Sequence, residues 1–453
     1  MIPAKTSLIS GSLKTIVSGL KKANASFAKN YPGDSAGRQA VHTVYGGAHL
    51  FKADAAAKLG NLALKSLETY APNAQAFAVA LGLRRGEFAE TIYSRVIEKL
   101  KREAIEDYRI DFEDGYGNRP DAEEDLHAEQ AASHLAEGMA QNSLPPFTGI
   151  RVKPLSNELY NRSIRTLDIF LTTLASKSRG RVPPNFVVTL PKVVTPGHVA
   201  ALAKLLAALE AKCKFPSRSL KIEIMVETPQ SIITKDGVCA LMELITAGEG
   251  RCVSVHFGTY DYTALCNITA AHQSMTHQSC DFAKHVMQVA LAQTGVNLAD
   301  GATTTMPVPA HRASLQGPGL TPDQIRENQT AIHRAWKLHF NNIRHSLETG
   351  YYQGWDLHPA QLPIRYAAVY SFFLESHKAA THRLKTFVEK AALATLIGDV
   401  FDDAATGQGL LNFFLRGLSC GAITLEEAHA TGLTREDFES RSFLKILKNR
   451  QRH

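Results

Sequence analysis

The chain has 453 residues, of which 44% are hydrophobic and 21% are charged, an ordinary globular composition. The formal net charge is +7, which suits an acidic small-molecule substrate. The basic residues are scattered except for a run at residues 445–452, so we expect no nucleic-acid partner. No apolar run approaches the roughly 18 residues of a membrane span, and we expect no membrane partner.

The cysteines and the N-terminal segment bear on location. The six cysteines are widely spread and form no Cys-x-x-Cys pair, which is typical of reduced cytosolic thiols, several of them buried. The first 33 residues contain lysines and serines but no acidic residue. A mitochondrial presequence is similar in part, but such peptides favour Arg, and the first arginine is Arg38. We therefore predict an amphipathic N-terminal helix and a cytoplasmic protein.

Short β-rich runs alternate with helical patterns through the middle of the chain. Strands are predicted at 41–45, 108–112, 149–153, 186–190, 220–226, 253–257, weakly at 303–307, and at 354–357. Helices are predicted at 88–104, 121–139, 198–211 and 321–349. This alternation predicts parallel strands that close into a (β/α)₈ TIM barrel. An open doubly wound sheet is the alternative, weakened because no Gly-x-Gly-x-x-Gly follows an early strand.

The predicted elements divide the chain into three parts. Residues 1–41 form an N-terminal helical segment, 42–378 the catalytic barrel, and 379–453 a C-terminal helical extension or lid. Within the extension, helices are predicted at 384–396, 410–418 and 425–430. This all-helical tail favours a homo-oligomer.

Charged and polar side chains follow the ends of the predicted strands. In a parallel barrel these ends meet at one mouth. Each residue alone has a structural interpretation, such as a helix cap, a solvated turn or an ion pair. Their coincidence at the same end of successive strands favours function. They are Glu113, Asp114, Arg151, Lys192, Glu227, Asp261 and His358.

This mouth predicts a hard divalent cation, Mg²⁺ with Mn²⁺ as the alternative, since such ions prefer carboxylate and water oxygens. Glu227 and Asp261 suit the direct metal ligands, because each follows a buried apolar strand. Glu113 and Asp114 suit the role of holding metal-bound water. No His-rich or Cys-rich cluster indicates zinc.

A carbon–carbon bond that breaks beside a carbonyl leaves an enolate, whose charge must be stabilised where it develops. Mg²⁺ would do this as a Lewis acid, and Arg151 would share the charge. The predicted general base is a water held by Glu113 or Asp114, with His358 the less favoured alternative. We therefore predict that Arg151, Glu113 and Asp114 are catalytic.

Six short motifs occur in order along residues 42–378. They are Asp111-Phe-Glu-Asp114, Ile150-Arg-Val-Lys153, Leu190-Pro-Lys-Val193, Val226-Glu-Thr228, Phe257-Gly-x-x-Asp261 and Leu357-His-Pro-x-Gln361. Together they resemble motifs of the citrate lyase β-subunit-like branch of the HpcH/HpaI aldolase family. That branch includes malyl-CoA lyases and lies in the phosphoenolpyruvate/pyruvate-domain superfamily.

The resemblance implies the same barrel, with Mg²⁺ held by Glu227 and Asp261 and substrate oxygens bound by Arg151. It also implies that Lys192, Gly258 and His358 lie at the substrate. The expected activity is that of a Mg²⁺-dependent carbon–carbon lyase or aldolase, acting on a 2-oxo acid or an acyl-CoA through a metal-stabilised enolate. The alternatives are a phosphoenolpyruvate-using phosphoryl-transfer enzyme and a non-catalytic ligand-binding barrel.

Three departures from the family pattern bear on the substrate more than on the metal. Val194 stands where the family has Glu, Lys153 stands where it has Asn, and Asp261 follows Glu227 by 34 residues, a longer span than expected. Relatives also draw an acid from a C-terminal helical segment. The candidates for that role here are Asp399, Asp402 and Asp403.

Overall fold

Eight parallel strands form a closed barrel in this protein. The computed structural model describes residues 10–35, 37–313, 319–389, 395–397, 400–402 and 404–450. The barrel strands pair in chain order, and the last pairs with the first. They are β1 (His42–Gly47), β2 (Asp107–Asp111), β3 (Phe147–Arg151), β4 (Phe186–Leu190), β5 (Lys221–Val226), β6 (Cys252–Phe257), β7 (Asn297–Ala302) and β8 (Gln353–Asp356).

Helices follow the strands and surround the barrel. Those up to the end of the barrel are α1 (Ser10–Asn30), α2 (Ala55–Tyr70), α3 (Ala74–Leu81), α4 (Glu87–Glu103), α5 (Asp121–Gln141), α6 (Tyr160–Ser178), α7 (Pro196–Cys213), α8 (Leu241–Ala247), α9 (Thr259–Leu265), α10 (Gln278–Leu291), α11 (Pro322–Glu348) and α12 (Leu362–Glu389). A short antiparallel pair, β9 (Thr395–Ile397) and β10 (Val400–Asp402), precedes α13 (Ala404–Ser419), α14 (Leu425–His429), α15 (Arg435–Ser440) and α16 (Phe443–Arg450).

Local sequence signals set the start of the long helices. The Thr321 side chain accepts a hydrogen bond from the backbone N–H of Gln324, and the Gln324 side chain accepts one from the backbone N–H of Thr321. Pro322 occupies the first helical position, where its missing N–H costs nothing. This capping box begins α11, the 27-residue helix that packs against α12.

Charged side chains fill the barrel interior, where TIM barrels usually carry branched apolar ones. Arg109 is 3% exposed and forms ion pairs with Asp107 and with Glu223, the latter at 3.4 Å. Gly149 lies beside Arg109, and a Cβ there would lie 3.1 Å from Arg109 Cδ and 2.3 Å from the carbonyl oxygen of Val187. The three buried charges are therefore paired with one another inside the barrel.

An aromatic layer lies nearer the carboxyl end of the strands. The Tyr45 hydroxyl lies 3.3 Å from Glu223 Oε1 and 3.3 Å from His256 Nδ1. The Tyr45 ring packs against Trp355 with ring centroids 4.4 Å apart. The Trp355 ring in turn faces Arg151, whose guanidinium carbon lies 5.4 Å from the ring centroid.

The C-terminal helices pack on the outside of the barrel. Phe373 of α12 contacts Phe413 of α13 at 5.3 Å between ring centroids, and Phe387 stacks on Phe443 of α16 at 5.0 Å. Arg95 of α4 donates to the carbonyl of Ala422 at 2.7 Å and pairs with Glu427 at 2.5 Å. The extension is thus held by aromatic packing and by an ion pair.

The structure confirms the TIM barrel and corrects several predicted elements. The seventh strand spans Asn297–Ala302, immediately before the predicted 303–307. The helix predicted at 384–396 begins much earlier, at Leu362, and residues 395–397 form a strand. All six cysteines are free. In the described part of the chain, no helix is long and apolar enough to cross a membrane.

Candidate active site

The turn that follows β2 is organised by Asp111. Its Oδ1 accepts from the backbone N–H of Glu113 at 3.0 Å, and its Oδ2 accepts from that of Gly115 at 2.7 Å. A Cβ on Gly115 would lie 2.6 Å from Asp111 Oδ2, so this position has little room for a side chain. The buried Asp111 carboxylate thereby holds the turn that carries Glu113 and Asp114 at the barrel mouth.

Arg151 lies beside this turn and is 1% exposed. Its Nε and Nη2 donate to the two oxygens of Asp111 at 2.7 and 2.6 Å. Its Nη1 lies 3.1 Å from Glu113 Oε2 and 3.8 Å from Asp114 Oδ2. The guanidinium carbon lies 4.7 Å from the Tyr45 ring centroid. Asp111 therefore fixes one edge of the guanidinium, and Nη1 faces the mouth carboxylates.

Lys192 connects the mouth acids through its backbone and its side chain. Its φ of +48° is the left-handed conformation, which is uncommon outside glycine and clusters at functional sites. The Lys192 N–H donates to Glu227 Oε1 at 2.6 Å. The ammonium pairs with Glu113, and lies 3.4 Å from Asp114 Oδ2 and 3.8 Å from Asp261 Oδ2. The predicted acids of β2, β5 and β6 are thus brought together around one residue.

Glu227 is the most buried carboxylate of this group, at 2% exposure. Its pKa is raised to about 8, chiefly by burial and also by the charges of Asp261 and Glu113, against the opposing effect of Lys192. A Cβ on Gly258 would lie 2.4 Å from Glu227 Cβ and 2.7 Å from its Oε2. Gly258, predicted to bind substrate, therefore makes room for the Glu227 side chain.

Glu113 and Asp114 are adjacent but have different protonation tendencies. Burial raises the pKa of Glu113, with the Asp114 charge adding to the effect, although Arg151 and Lys192 oppose it. The pKa of Asp114 is lowered, because Arg151 and Lys192 outweigh its burial. Of these two neighbouring carboxyl groups, Glu113 therefore holds a proton more tightly than Asp114.

His358 lies at the end of β8 and is occupied by its own turn. Its Nδ1 accepts from the backbone N–H of Ala360 at 3.1 Å, and its backbone N–H donates to Gln361 Oε1 at 3.2 Å. Burial lowers its pKa. The ring borders an apolar cavity of about 240 Å³ between β1, β8 and α2. His358 thus caps a short helix, and its predicted place at the substrate stays a prediction.

One departure from the family motifs, Lys153, has a structural explanation. Lys153 is buried, and its ammonium donates to the carbonyl of Phe112 and to Glu124 Oε2, both at 2.7 Å. It therefore ties β3 to α5 rather than facing the mouth acids. Val194 is 48% exposed. Asp402 ends β10, whereas Asp399 and Asp403 lie outside the described residues.

Two residues of this site were not predicted from the sequence. Asp111 was quoted only as part of a motif, yet it stands directly opposite Arg151 in the register of β2 and β3. The barrel sets the register that pairs them, and the sequence carries no separate signal for it. His49 follows the Gly46-Gly47 end of β1, and its ring lies against the turn carrying Glu113 and Asp114. Only its place after a strand end indicated it.

A family model described as a domain of unknown function, DUF6986, matches residues 20–446, and the chain belongs to this family. No curated protein matches the chain. Among solved structures, a citrate lyase from Burkholderia xenovorans LB400 is similar at 18% identity with a TM-score of 0.53, over 77% of this chain and 94% of that one.

Two further solved structures are more distant. The protein CitE from Mycobacterium tuberculosis, in complex with magnesium, acetoacetate and coenzyme A, has a TM-score of 0.47 at 14% identity over 85% of this chain and 99% of that one. A malate synthase from Haloferax volcanii, in a lead(II) complex, has a TM-score of 0.45 at 13% identity over 92% and 99%. At such identities a likeness speaks for the fold alone.

Proposed function

We propose that this member of the DUF6986 family is a Mg²⁺-dependent carbon–carbon lyase or aldolase that acts on a 2-oxo acid or an acyl-CoA through an enolate. The observation that carries the proposal is the convergence of Glu113, Asp114, Glu227 and Asp261 on Lys192, beside Arg151. Four carboxyl groups this close at the catalytic end of a barrel favour binding of a cation together with an anionic substrate. A barrel shared with a citrate lyase agrees with this reaction class.

The donor set fits a hard divalent cation. In the described part of the chain, no three Asp, Glu, His or Cys side chains are arranged to hold a metal ion by themselves. Mg²⁺ does not require that, because it usually takes one or two carboxylates and completes its shell with water and substrate oxygens. Glu227 and Asp261 are near enough for the charge of one to raise the pKa of the other. They would hold the ion, which when bound acts as a Lewis acid towards the substrate carbonyl.

The remaining residues of the mouth would bind and orient the substrate. Asp111 uses Nε and Nη2 of Arg151, whereas Nη1 faces the mouth, 3.1 Å from Glu113 Oε2, and would turn to an anionic substrate oxygen. That nitrogen is buried, so a charge-assisted hydrogen bond from it is stronger than one formed in water. Lys192, partly exposed, would hold Glu113 and Asp114 in place and add positive charge beside a substrate carboxylate. Displacement of water from this mouth would strengthen each of these interactions.

Calorimetric titration with oxalate, a mimic of the pyruvate enolate, tests the proposal. We expect oxalate to bind in the presence of Mg²⁺ and not in its absence. Glu227→Gln and Asp261→Asn should each abolish that binding, because each removes a charged ligand from the metal. Glu137→Gln, an exposed acid on the outer helix α5, serves as the matched control and should bind as the wild type does.

The outcome separates this proposal from a barrel of another function. Folding of each variant is checked by circular dichroism, so that lost binding is not lost structure. Binding that survives in both Glu227→Gln and Asp261→Asn would contradict the metal assignment. Absence of oxalate binding with or without Mg²⁺ would refute the enolate site as a whole and favour a different ligand.

A further inference from the structure

His49 occupies a special position above the end of β1. Side chains of this strand alternate, so that Tyr45 and Gly47 face the barrel interior. A Cβ on Gly47 would lie 2.9 Å from His49 Nδ1, 2.6 Å from His49 Cε1 and 2.5 Å from the carbonyl oxygen of Gly115. The space that a side chain of Gly47 would occupy is thus filled by the His49 ring and by the backbone that follows Glu113 and Asp114. The imidazole therefore lies at the mouth end of β1, on the side of Gly47 that faces the barrel interior.

The hydrogen-bonding capacity of His49 is not used by the fold. Its Nδ1 is buried and has no hydrogen-bond partner in the described part of the chain. A buried ring nitrogen without a partner is costly, and such atoms in native structures call for a functional explanation. His358, the other histidine of the mouth, differs in this respect, because its Nδ1 accepts from Ala360.

The groups around His49 keep it neutral. Its ring contacts Tyr116 and His127 with centroids 5.6 and 6.0 Å away, and the Tyr116 hydroxyl lies 2.8 Å from His127 Nδ1. Burial lowers the pKa of His49, and the nearby charge of Arg119 and the ring of His127 lower it further, while Glu123 opposes them. A neutral imidazole can accept a proton at neutral pH, which is the first requirement of a general base.

The acids of the mouth suit this role less well in their present pairings. The Glu113 carboxylate is held by Lys192 and Arg151, and Asp114 lies within 4 Å of both cations. Arg151 and Lys192 lower the pKa of Asp114, so that acid accepts a proton less readily. Both oxygens of Glu113 are already engaged, Oε1 by Lys192 and Oε2 by Arg151. The sequence predicted a water held by Glu113 or Asp114 as the base; these acids would then orient water and substrate, while another group receives the proton.

We propose that His49 exchanges the proton with the substrate in the carbon–carbon reaction, a proposal that rests on the proposed function. In the cleavage direction, a ring nitrogen of His49 takes the proton of the β-hydroxyl group. The oxygen then forms a new carbonyl as the carbon–carbon bond breaks, and the electron pair of that bond passes into the enolate fragment. The protonated His49 returns the proton to the enolate carbon, which restores both the residue and the charge balance.

Hydrogen exchange tests this step without knowledge of the natural substrate. Methyl protons of pyruvate and of acetyl-CoA are followed by ¹H NMR in D₂O with Mg²⁺ and the full-length protein. The wild type should exchange the protons of at least one of these probes. His49→Gln should slow that exchange by roughly a hundredfold or more, the usual contribution of a positioned acid–base group. The same variant should bind oxalate with Mg²⁺ as the wild type does.

His127→Gln is the matched control, since it removes an imidazole from the same ring cluster without touching His49 Nδ1. Its exchange rate should stay near that of the wild type. The pH profile gives an independent measure, because exchange by the wild type should fall as acid protonates His49. The residual exchange of His49→Gln should lack this acid limb.

Each other outcome has a definite meaning. Exchange by His49→Gln within tenfold of the wild type overturns the role of His49 and leaves the proposed function standing. If His49→Gln loses both oxalate binding and proton exchange, the role of His49 is structural, and the proposed proton transfer is overturned as well. A wild type that binds oxalate but exchanges neither probe contradicts proton transfer by His49. A wild type that does neither refutes the proposed function, and the role of His49 falls with it.

Discussion

Replacement of Asp111 by Asn tests whether the ion pair with Arg151 organises the mouth. Both side chains are buried, and the carboxylate also accepts from the backbone N–H groups of Glu113 and Gly115. Removing one partner of a buried ion pair costs about 3–5 kcal/mol. Glu113 lies 3.1 Å from Arg151 Nη1 and keeps part of the compensation, so we expect the lower end, about 3 kcal/mol.

Urea unfolding followed by circular dichroism measures this loss. With a slope of about 3 kcal/mol per molar urea, the midpoint of Asp111→Asn should fall by about 1 M. Arg151→Met should be similarly destabilising, and the double variant should lose less than the sum of the two. Asp236→Asn is the control, because its ion pair with Lys235 is 68% and 87% exposed and should contribute below about 0.5 kcal/mol.

A loss below about 1 kcal/mol in Asp111→Asn would refute this reasoning, since that is the range of an exposed pair. Additive losses in the double variant would also contradict it. In either case Arg151 would be held by Tyr45, Trp355 and Glu113 rather than by Asp111.

Three further predictions follow from close contacts and from one perturbed acid. Gly258→Ala should weaken Mg²⁺-dependent oxalate binding at least tenfold in calorimetry, because its Cβ would lie 2.4 Å from Glu227 Cβ. Gly149→Ala should lower the free energy of unfolding by about 2 kcal/mol or more through overpacking, measured by urea titration. Burial opposes ionisation of Glu223, but Arg109, His256 and two hydroxyl hydrogen bonds outweigh it and lower its pKa to about 2. The wild type should therefore lose stability as the pH falls from 4.5 towards 2. Glu223→Gln should be less stable overall but should lack that part of the pH-dependent loss. Urea titrations at successive pH values measure both effects.

The barrel was predictable from sequence because most strands are runs of β-branched and aromatic residues with clear ends. The predicted position of the seventh strand was wrong for a physical reason. Residues Asn297–Ala302 read NLADGA, which has one large apolar side chain and low intrinsic strand propensity. Pairing with β6 and β8 makes it a strand, and no local signal carries that information.

The sequence predicted which residues of the candidate site follow the strands, because parallel strands all end on the same side of the barrel. The contacts between these residues could not be predicted. The left-handed backbone of Lys192, which aims its N–H at Glu227, depends on the packing of two loops. Likewise His49 has no motif of its own, and its place over the interior depends on Gly47 having no side chain.

The ion-paired interior of Asp107, Arg109 and Glu223, with Gly149 beside it, constrains how this barrel can diverge. A single replacement of a charged member leaves a buried charge uncompensated, whereas joint replacement by apolar residues of similar volume is often neutral. Divergence at the four positions should therefore be concerted, with charged and apolar versions of the interior inherited as complete sets. Relatives that keep Gly149 should keep the arginine that fills its space.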